Sequence, residues 1–170
     1  MIKLQPFSQE DFDTLIAWID NEELLITIAG HLFSYPLTHV QLQTYLETDN
    51  SYSFTIIDLE QNKKIGHAQL ILSGKDRFKI DILIIGDQAN RGKGIGQQVI
   101  NTLLEYAFNN LEAQTVELNV FDWNTAGIRC YEKCGFEINP EKQAAFNVGD
   151  KSWTAINMTI DQHSWKSKLN

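Results

Sequence analysis

The segment Arg91-Gly92-Lys93-Gly94-Ile95-Gly96 sets three glycines at alternate positions between an apolar stretch and a long amphipathic one. Glycine removes Cβ where backbone must come close to another group. A helix that begins inside such a loop exposes its first N–H groups, which have no intrahelical partner, together with the positive end of its dipole. That end is an anion site, and Arg91 and Lys93 add local positive charge. The chemistry this predicts is capture of a phosphate or pyrophosphate; the alternative is a glycine-rich turn that holds nothing. Two familiar phosphate loops fail. A Walker A loop needs glycine where Asp87 stands and Ser or Thr where Gly94 stands, and the dinucleotide fingerprint needs glycine at Gln97 or Val99.

The elements that must position this loop follow from hydrophobic period and capping signals. Residues 1–7 read as an opening strand ended near Pro6. Ser8, with Asp11 in the capping-box position, opens a helix carrying Phe12, Leu15, Ile16 and Ile19. Asn21 caps a second short helix that runs through Ala29 and stops at Gly30. Thr38 and Gln41 form a capping box for a third, which carries Val40, Leu42, Tyr45 and Leu46. Then the period changes to two. Strands are predicted around Tyr52–Ile56, Ile65–Leu72 and Phe78–Ile85, joined by turns at Gln61–Lys64 and Ser73–Asp76, with antiparallel pairing of neighbours. A long helix bears the stripe Ile95, Val99, Ile100, Leu103, Leu104, Ala107, Phe108 and Leu111. Val116, Leu118 and Val120 mark a strand. Asn124 caps a helix to about Cys134, with Gly135 as its left-handed stop. Two last strands, Phe136–Ile138 and Trp153–Ile160, close a hairpin around Gly149-Asp150. The sum is a mixed α/β chain.

Composition bounds the function. The 170 residues suit one domain, 1–170, with 14 Lys and Arg against 22 Asp and Glu and a net charge of -8. That balance argues against a general nucleic-acid binder and is compatible with a cationic acceptor such as a polyamine or a basic peptide terminus. No apolar run reaches membrane-spanning length, and the N-terminus lacks a signal-peptide core, so the expected compartment is the cytoplasm. Cys130 and Cys134 share a helix face at a spacing that resists a disulfide, and further metal ligands are missing at suitable spacing; buried thiols are the expectation. His31, His39, His67 and His163 are scattered rather than clustered.

With these residues in view, Arg91-x-x-Gly94-x-Gly96 after a strand resembles the coenzyme A pyrophosphate loop of the GCN5-related N-acetyltransferase (GNAT) superfamily. The stretch from Val120 through Asn124, Ala126, Tyr131-Glu132-Lys133 and Gly135-Phe136 resembles that family's second motif. Its wording is closest to the branch that acetylates ribosomal-protein N-termini and related small amines. The resemblance implies a GNAT-type mixed, mostly antiparallel, splayed central sheet of about six or seven strands flanked by helices. It implies acetyl-CoA as cosubstrate, no metal, a primary amine as acceptor, and no membrane or direct nucleic-acid partner; a homodimer is compatible with it. By the same resemblance, Ile84 and Gly86 pair their backbone with the pantetheine arm. Residues Arg91, Gly92, Lys93, Gly94, Ile95 and Gly96 cradle the pyrophosphate. Asn119 and Asn124 contact the coenzyme, and Ala126 and Gly127 are small where the helix approaches it.

Two residues are assigned chemistry on this basis. Tyr131 is the general acid that protonates the departing sulfur; its alternative is a buried helix aromatic. Asp81 is the base, because a charge inside an apolar strand is costly unless used or paired; its alternative is an outward-facing strand carboxylate. The acceptor site is expected between the early helices and the last hairpin, with Trp18, Phe33, Tyr35 and Trp153 as lining candidates or, for any one of them, core packing. A non-catalytic acyl-coenzyme A-binding module on the same fold is the competing reading.

Overall fold

The computed structural model describes residues 1–86 and 92–169. In chain order come β1 (Ile2–Pro6), a single 3-10 turn, α1 (Phe12–Trp18), α2 (Glu22–Ala29), α3 (His39–Leu46), β2 (Ser51–Asp58), β3 (Lys63–Gly74) and β4 (Arg77–Ile85). There follow α4 (Ile95–Asn109), β5 (Thr115–Phe121), α5 (Thr125–Cys134), β6 (Glu137–Val148), β7 (Lys151–Asp161) and α6 (Gln162–Lys168). The strands form one seven-stranded sheet in the order β1-β2-β3-β4-β5-β7-β6. Every neighbouring pair is antiparallel except β4 with β5. Among the described residues no helix is long and apolar enough to cross a membrane.

Helices cover both faces. On one, the α4 stripe Val99, Ile100, Leu103, Leu104, Ala107 and Phe108 packs on Leu70, Ile80, Val116, Leu118 and Met158. Each such side chain contributes on the order of 1.5–3 kcal/mol on burial. Trp165 anchors α6 against Phe108 at 5.0 Å between rings. On the other face α1, α2 and α3 bury Phe12, Leu15, Leu25 and Leu42 over Ile82 and Ile84.

Local signals explain most boundaries. Asn21 Oδ1 accepts the Leu24 N–H at 2.8 Å, and Ser8 N–H donates to Asp11 Oδ2 at 3.0 Å. Thr38 accepts the Gln41 N–H at 3.4 Å. The Gln41 amide does not complete a reciprocal box, because it reaches into the preceding loop and binds the Ser34 N–H (2.8 Å) and the Pro36 carbonyl (3.0 Å). Gly135 ends α5 at φ 106. The turns before β3 and β4 place Asn62 and Asp76 at φ 49 and 53. Two elements depart from the sequence expectation. β6 runs to Val148 rather than stopping at Ile138, and α6 is new. β6 is an edge strand with almost every side chain exposed, so alternation is absent from it. α6 is a seven-residue helix whose one buried side chain is Trp165.

β3 also carries a buried imidazole. His67 Nε2 lies 2.8 Å from the Tyr45 hydroxyl, and burial pulls the ring down to about 3. The unfolded value is about 6.5, so between the two the unfolded chain binds a proton that the folded chain refuses. The contribution of His67 is therefore fully present above about pH 6.5 and is lost as pH falls from there toward about 3. Urea denaturation should show about 2 kcal/mol of stability lost between about pH 7 and about pH 5. His67→Gln should flatten that slope, whatever its absolute stability. A wild-type curve already flat across this range would contradict the account.

Candidate active site

The parallel seam between β4 and β5 is short. Arg77, Phe78, Lys79 and Ile80 pair with Thr115, Val116, Glu117 and Leu118. Beyond this point β4 continues beside β3 and β5 continues beside β7, and no further β4–β5 pairs occur among the described residues. The register explains the parting. Gln69 pairs with Ile82 but Leu70 pairs with Ile80, so Asp81 is the extra residue of a β-bulge. A bulge bends its strand and re-aims the side chains. Ile80 faces the α4 core, whereas Ile82 and Ile84 face the α1–α3 core.

The bulge also decides which backbone groups face the gap. Gly86 N–H donates to the Ile65 carbonyl at 2.9 Å, and a Cβ on Gly66 would overlap the Ile84 carbonyl oxygen. In an antiparallel ladder, residues facing the neighbour alternate with residues facing away. Ile84 and Gly86 therefore turn their polar groups to β3, and Leu83, one residue before Ile84, turns its own away from β3 toward the gap. The Gly86 N–H, expected at the gap, is thus taken up by β3. Gly86 is glycine for another reason: a Cβ there would overlap the Trp18 ring.

On the far side of the gap lies the glycine loop. Gly92 and Gly94 have φ 76 and 77, and a Cβ on either would meet nothing within 4 Å among the described residues. Gly94 is the N-cap of α4 and makes no side-chain cap bond. Having no side chain, Gly94 cannot itself supply the usual acceptor for the first-turn N–H groups. Lys93 is exposed beside them, and Ile95 opens the helix. Gly96 points at α5, where its Cβ would lie 3.4 Å from Cys130 Sγ. Arg91 lies outside the described residues.

α5 packs against α4 from the neighbouring position. Asn124 Oδ1 accepts the Gly127 N–H at 3.0 Å. The Asn124 amide lies so close over Gly127 that a Cβ would crowd its Nδ2 at 2.7 Å. A Cβ at 127 would thus press on the chain's own cap residue. Ala126 is exposed. Tyr131 is partly buried against the α4 core, its ring 6.1 Å from Phe136. Burial pushes its phenol above the ordinary range and the neighbouring Cys130 and Cys134 push the same way, so the hydroxyl keeps its proton at neutral pH.

On the α2 face the gap opens into a cavity of about 310 Å³, lined by Ile26–Leu32, Lys79–Asp81, Asn119–Phe121, Phe146 and Ala155. These walls come from the second helix and the β6–β7 hairpin as well as from both parted strands. Asp81 is paired with Lys79, Nζ to Oδ1 2.5 Å, with side chains 21% and 28% exposed. Asn119 accepts from Asn157 Nδ2 at 2.9 Å. The same amide reaches Glu117 Oε2 at 3.3 Å and the Leu118 carbonyl at 3.2 Å, fixing β5 where it leaves β4. Burial would raise the Glu117 carboxyl, but Lys142 at 3.0 Å and the Asn157 amide outweigh it and hold the group below the usual carboxylate range.

The four proposed lining aromatics do not line the cavity. Trp18 covers Gly86 and Phe33 packs on Tyr45 at 5.3 Å. Tyr35 donates to the Asp20 carbonyl at 3.0 Å, and Trp153 stands 5.1 Å from both Phe121 and Trp123. The rings that do line it, Phe121 and Phe146, meet edge to face at 5.4 Å. Together with Lys79 they were missed. No local pattern marks them, because β6 and β5 meet at the cavity only through β7. Two aromatic faces and the carbonyl end of α2 meet in a concavity whose one carboxylate, Asp81, is already paired with Lys79.

The "Acetyltransferase (GNAT) domain" family matches residues 2–137. A spermidine N(1)-acetyltransferase of Escherichia coli is 23% identical over 172 residues, covering 96% of this chain and 88% of its own. An aminoglycoside N(6')-acetyltransferase type 1 of Klebsiella pneumoniae is 27% identical over 149 residues, covering 80% of this chain and 74% of its own. In fold, the chain superposes on a spermidine N-acetyltransferase from Vibrio cholerae, crystallised with CoA and spermine, with a TM-score of 0.82. The identity is 20%, and 99% and 98% of the two chains are covered.

Proposed function

The chain belongs to the GNAT acetyltransferase family, and from that premise we propose a division of labour within its site. It is an N-acetyltransferase that uses acetyl-CoA as donor and acts on primary amines. The pyrophosphate rests on Gly92–Gly96 and the start of α4, with Arg91, Lys93 and Ile95 around it. This reading is supported by the positive φ angles, the absent side-chain cap and the open space above Gly92 and Gly94. The pantetheine arm runs into the gap along the Leu83 backbone and past Asn119 and Asn124. The acetyl end then meets the cavity.

There the acceptor nitrogen attacks the thioester carbonyl carbon. A C–N bond forms and the C–S bond breaks. Tyr131 gives a proton to the departing sulfur and Asp81 takes one from the amine. The observation that carries this reading is the bulge at Asp81, which parts the strands and puts Asp81 and Asn119 into one cavity. The acceptor is a small polycationic amine, supported by the net charge of -8 and the relatives that act on spermidine and aminoglycosides. A peptide amino terminus presents the same primary amine. The Tyr131-Glu132-Lys133 and Gly135-Phe136 wording of α5 speaks for that branch. Two unlinked cysteines suit a reducing cytoplasm.

Coenzyme A thiol release, measured with spermidine, an aminoglycoside and a ribosomal-protein N-terminal peptide, decides among these acceptors. Release that depends on none of them, alongside tight acetyl-CoA binding, would favour the binding-module reading. Asp81→Asn should lower kcat by about a hundredfold while leaving acetyl-CoA affinity within about threefold. An unchanged kcat would remove Asp81 from the proton path.

A further inference from the structure

Lys79 is itself a primary amine inside the acceptor cavity. It stands on β4 two residues before Asp81, opposite Glu117 in the last stretch of the parallel seam. Its side chain is 28% exposed, and Nζ is bonded to the Asp81 carboxylate at 2.5 Å. Both residues line the cavity at the point where the strands part. An acceptor amine there must lie within reach of the base and shed a proton to it, and Lys79 Nζ already meets the first condition.

We propose that Lys79 is a self-acetylation site: in the absence of a better acceptor, the protein transfers the acetyl group of acetyl-CoA to its own Lys79 Nζ. The proposal rests on the reading of the site given above. Nζ passes its proton to Asp81 and attacks the thioester carbonyl carbon. The adduct gives its second N–H proton back to Tyr131 as Tyr131 protonates the sulfur. The C–S bond breaks and coenzyme A leaves as its thiol, the new C–N bond is an amide, and Asp81 returns its proton to water. No oxidant or further reactant is needed. The product is neutral, so Asp81 loses its counter-ion and gains a freer carboxylate. Lys93, by contrast, lies at the glycine loop rather than in the cavity, and Lys142 is committed to Glu117 at 3.0 Å.

The test is incubation of the full chain with acetyl-CoA and no acceptor, followed by intact mass and peptide mapping over time. One acetyl group should appear on Lys79, at a first-order rate independent of protein concentration and saturable in acetyl-CoA. The rate should drop tenfold or more in Tyr131→Phe and in Asp81→Asn. Added spermidine should suppress the marking. Two results would overturn the proposal. One is an unmodified Lys79 in protein that acetylates spermidine or another added amine, which leaves the reading of the site intact. The other is marking of Lys79 no faster than in urea-unfolded chain, which is chemical acetylation alone. A chain that marks neither Lys79 nor any added amine would sink both the proposal and the reading beneath it.

Discussion

Gly94→Trp should lower the affinity for coenzyme A by roughly a hundredfold or more, a loss of about 2.8 kcal/mol. Gly94 sits at φ 77 at the head of α4, and a Cβ built there meets no atom of the described residues within 4 Å. The indole would therefore occupy the space in which the pyrophosphate is proposed to lie. Left-handed backbone costs a non-glycine residue about 1–2 kcal/mol, so the fold should persist at reduced stability. Calorimetric titration with coenzyme A, beside circular dichroism of the same sample, separates the two effects. Affinity within about threefold of the parent, about 0.7 kcal/mol, would remove the loop from the binding site.

Tyr131→Phe should reduce kcat by about 10²–10⁴-fold and leave the KM for acetyl-CoA nearly unchanged. The substitution deletes one oxygen and keeps the ring that packs near Phe136. Burial and the neighbouring thiols push the phenol further above its ordinary range, so the proposed donor stays protonated well beyond neutral pH. Sulfur must then leave unassisted in the variant. Steady-state rates with a saturating amine give the answer. A kcat equal to the parent's would return Tyr131 to the role of a core aromatic.

Much of the fold could be read from residue order because its signals are local. Asn21, Asn124 and Gly135 bound helices through hydrogen bonds to residues three or four positions away or through their own φ. The α4 stripe declares its buried face by spacing alone. What escaped depends on partners far along the chain. The polar edge strand β6 is held by pairing with β7 rather than by its own burial. The bulge at Asp81 exists only as a mismatch of register between β3 and β4. That one inserted residue shifts the phase of the strand, so which backbone groups of β4 face β3 cannot be counted from residue order alone. Phe121 and Phe146, 25 positions apart, become neighbours only because β7 lies between their strands. Lys79 was passed over because a lysine in a strand is ordinarily solvent-facing; its bond to Asp81 and its place on the cavity wall are tertiary facts.

The four-pair seam between β4 and β5 divides the sheet into two blocks, β1 to β4 and β5 to β7, each knit internally by longer antiparallel ladders. Such blocks can assemble early from near neighbours in sequence, leaving their junction for last. A substrate arm lying in the cleft, as proposed, would work as a keystone, lending rigidity to the weakest joint of the arch while it is there and surrendering it on departure. Loading the donor and stiffening the scaffold become one event, and release of the spent carrier restores the looseness that the next molecule needs to enter.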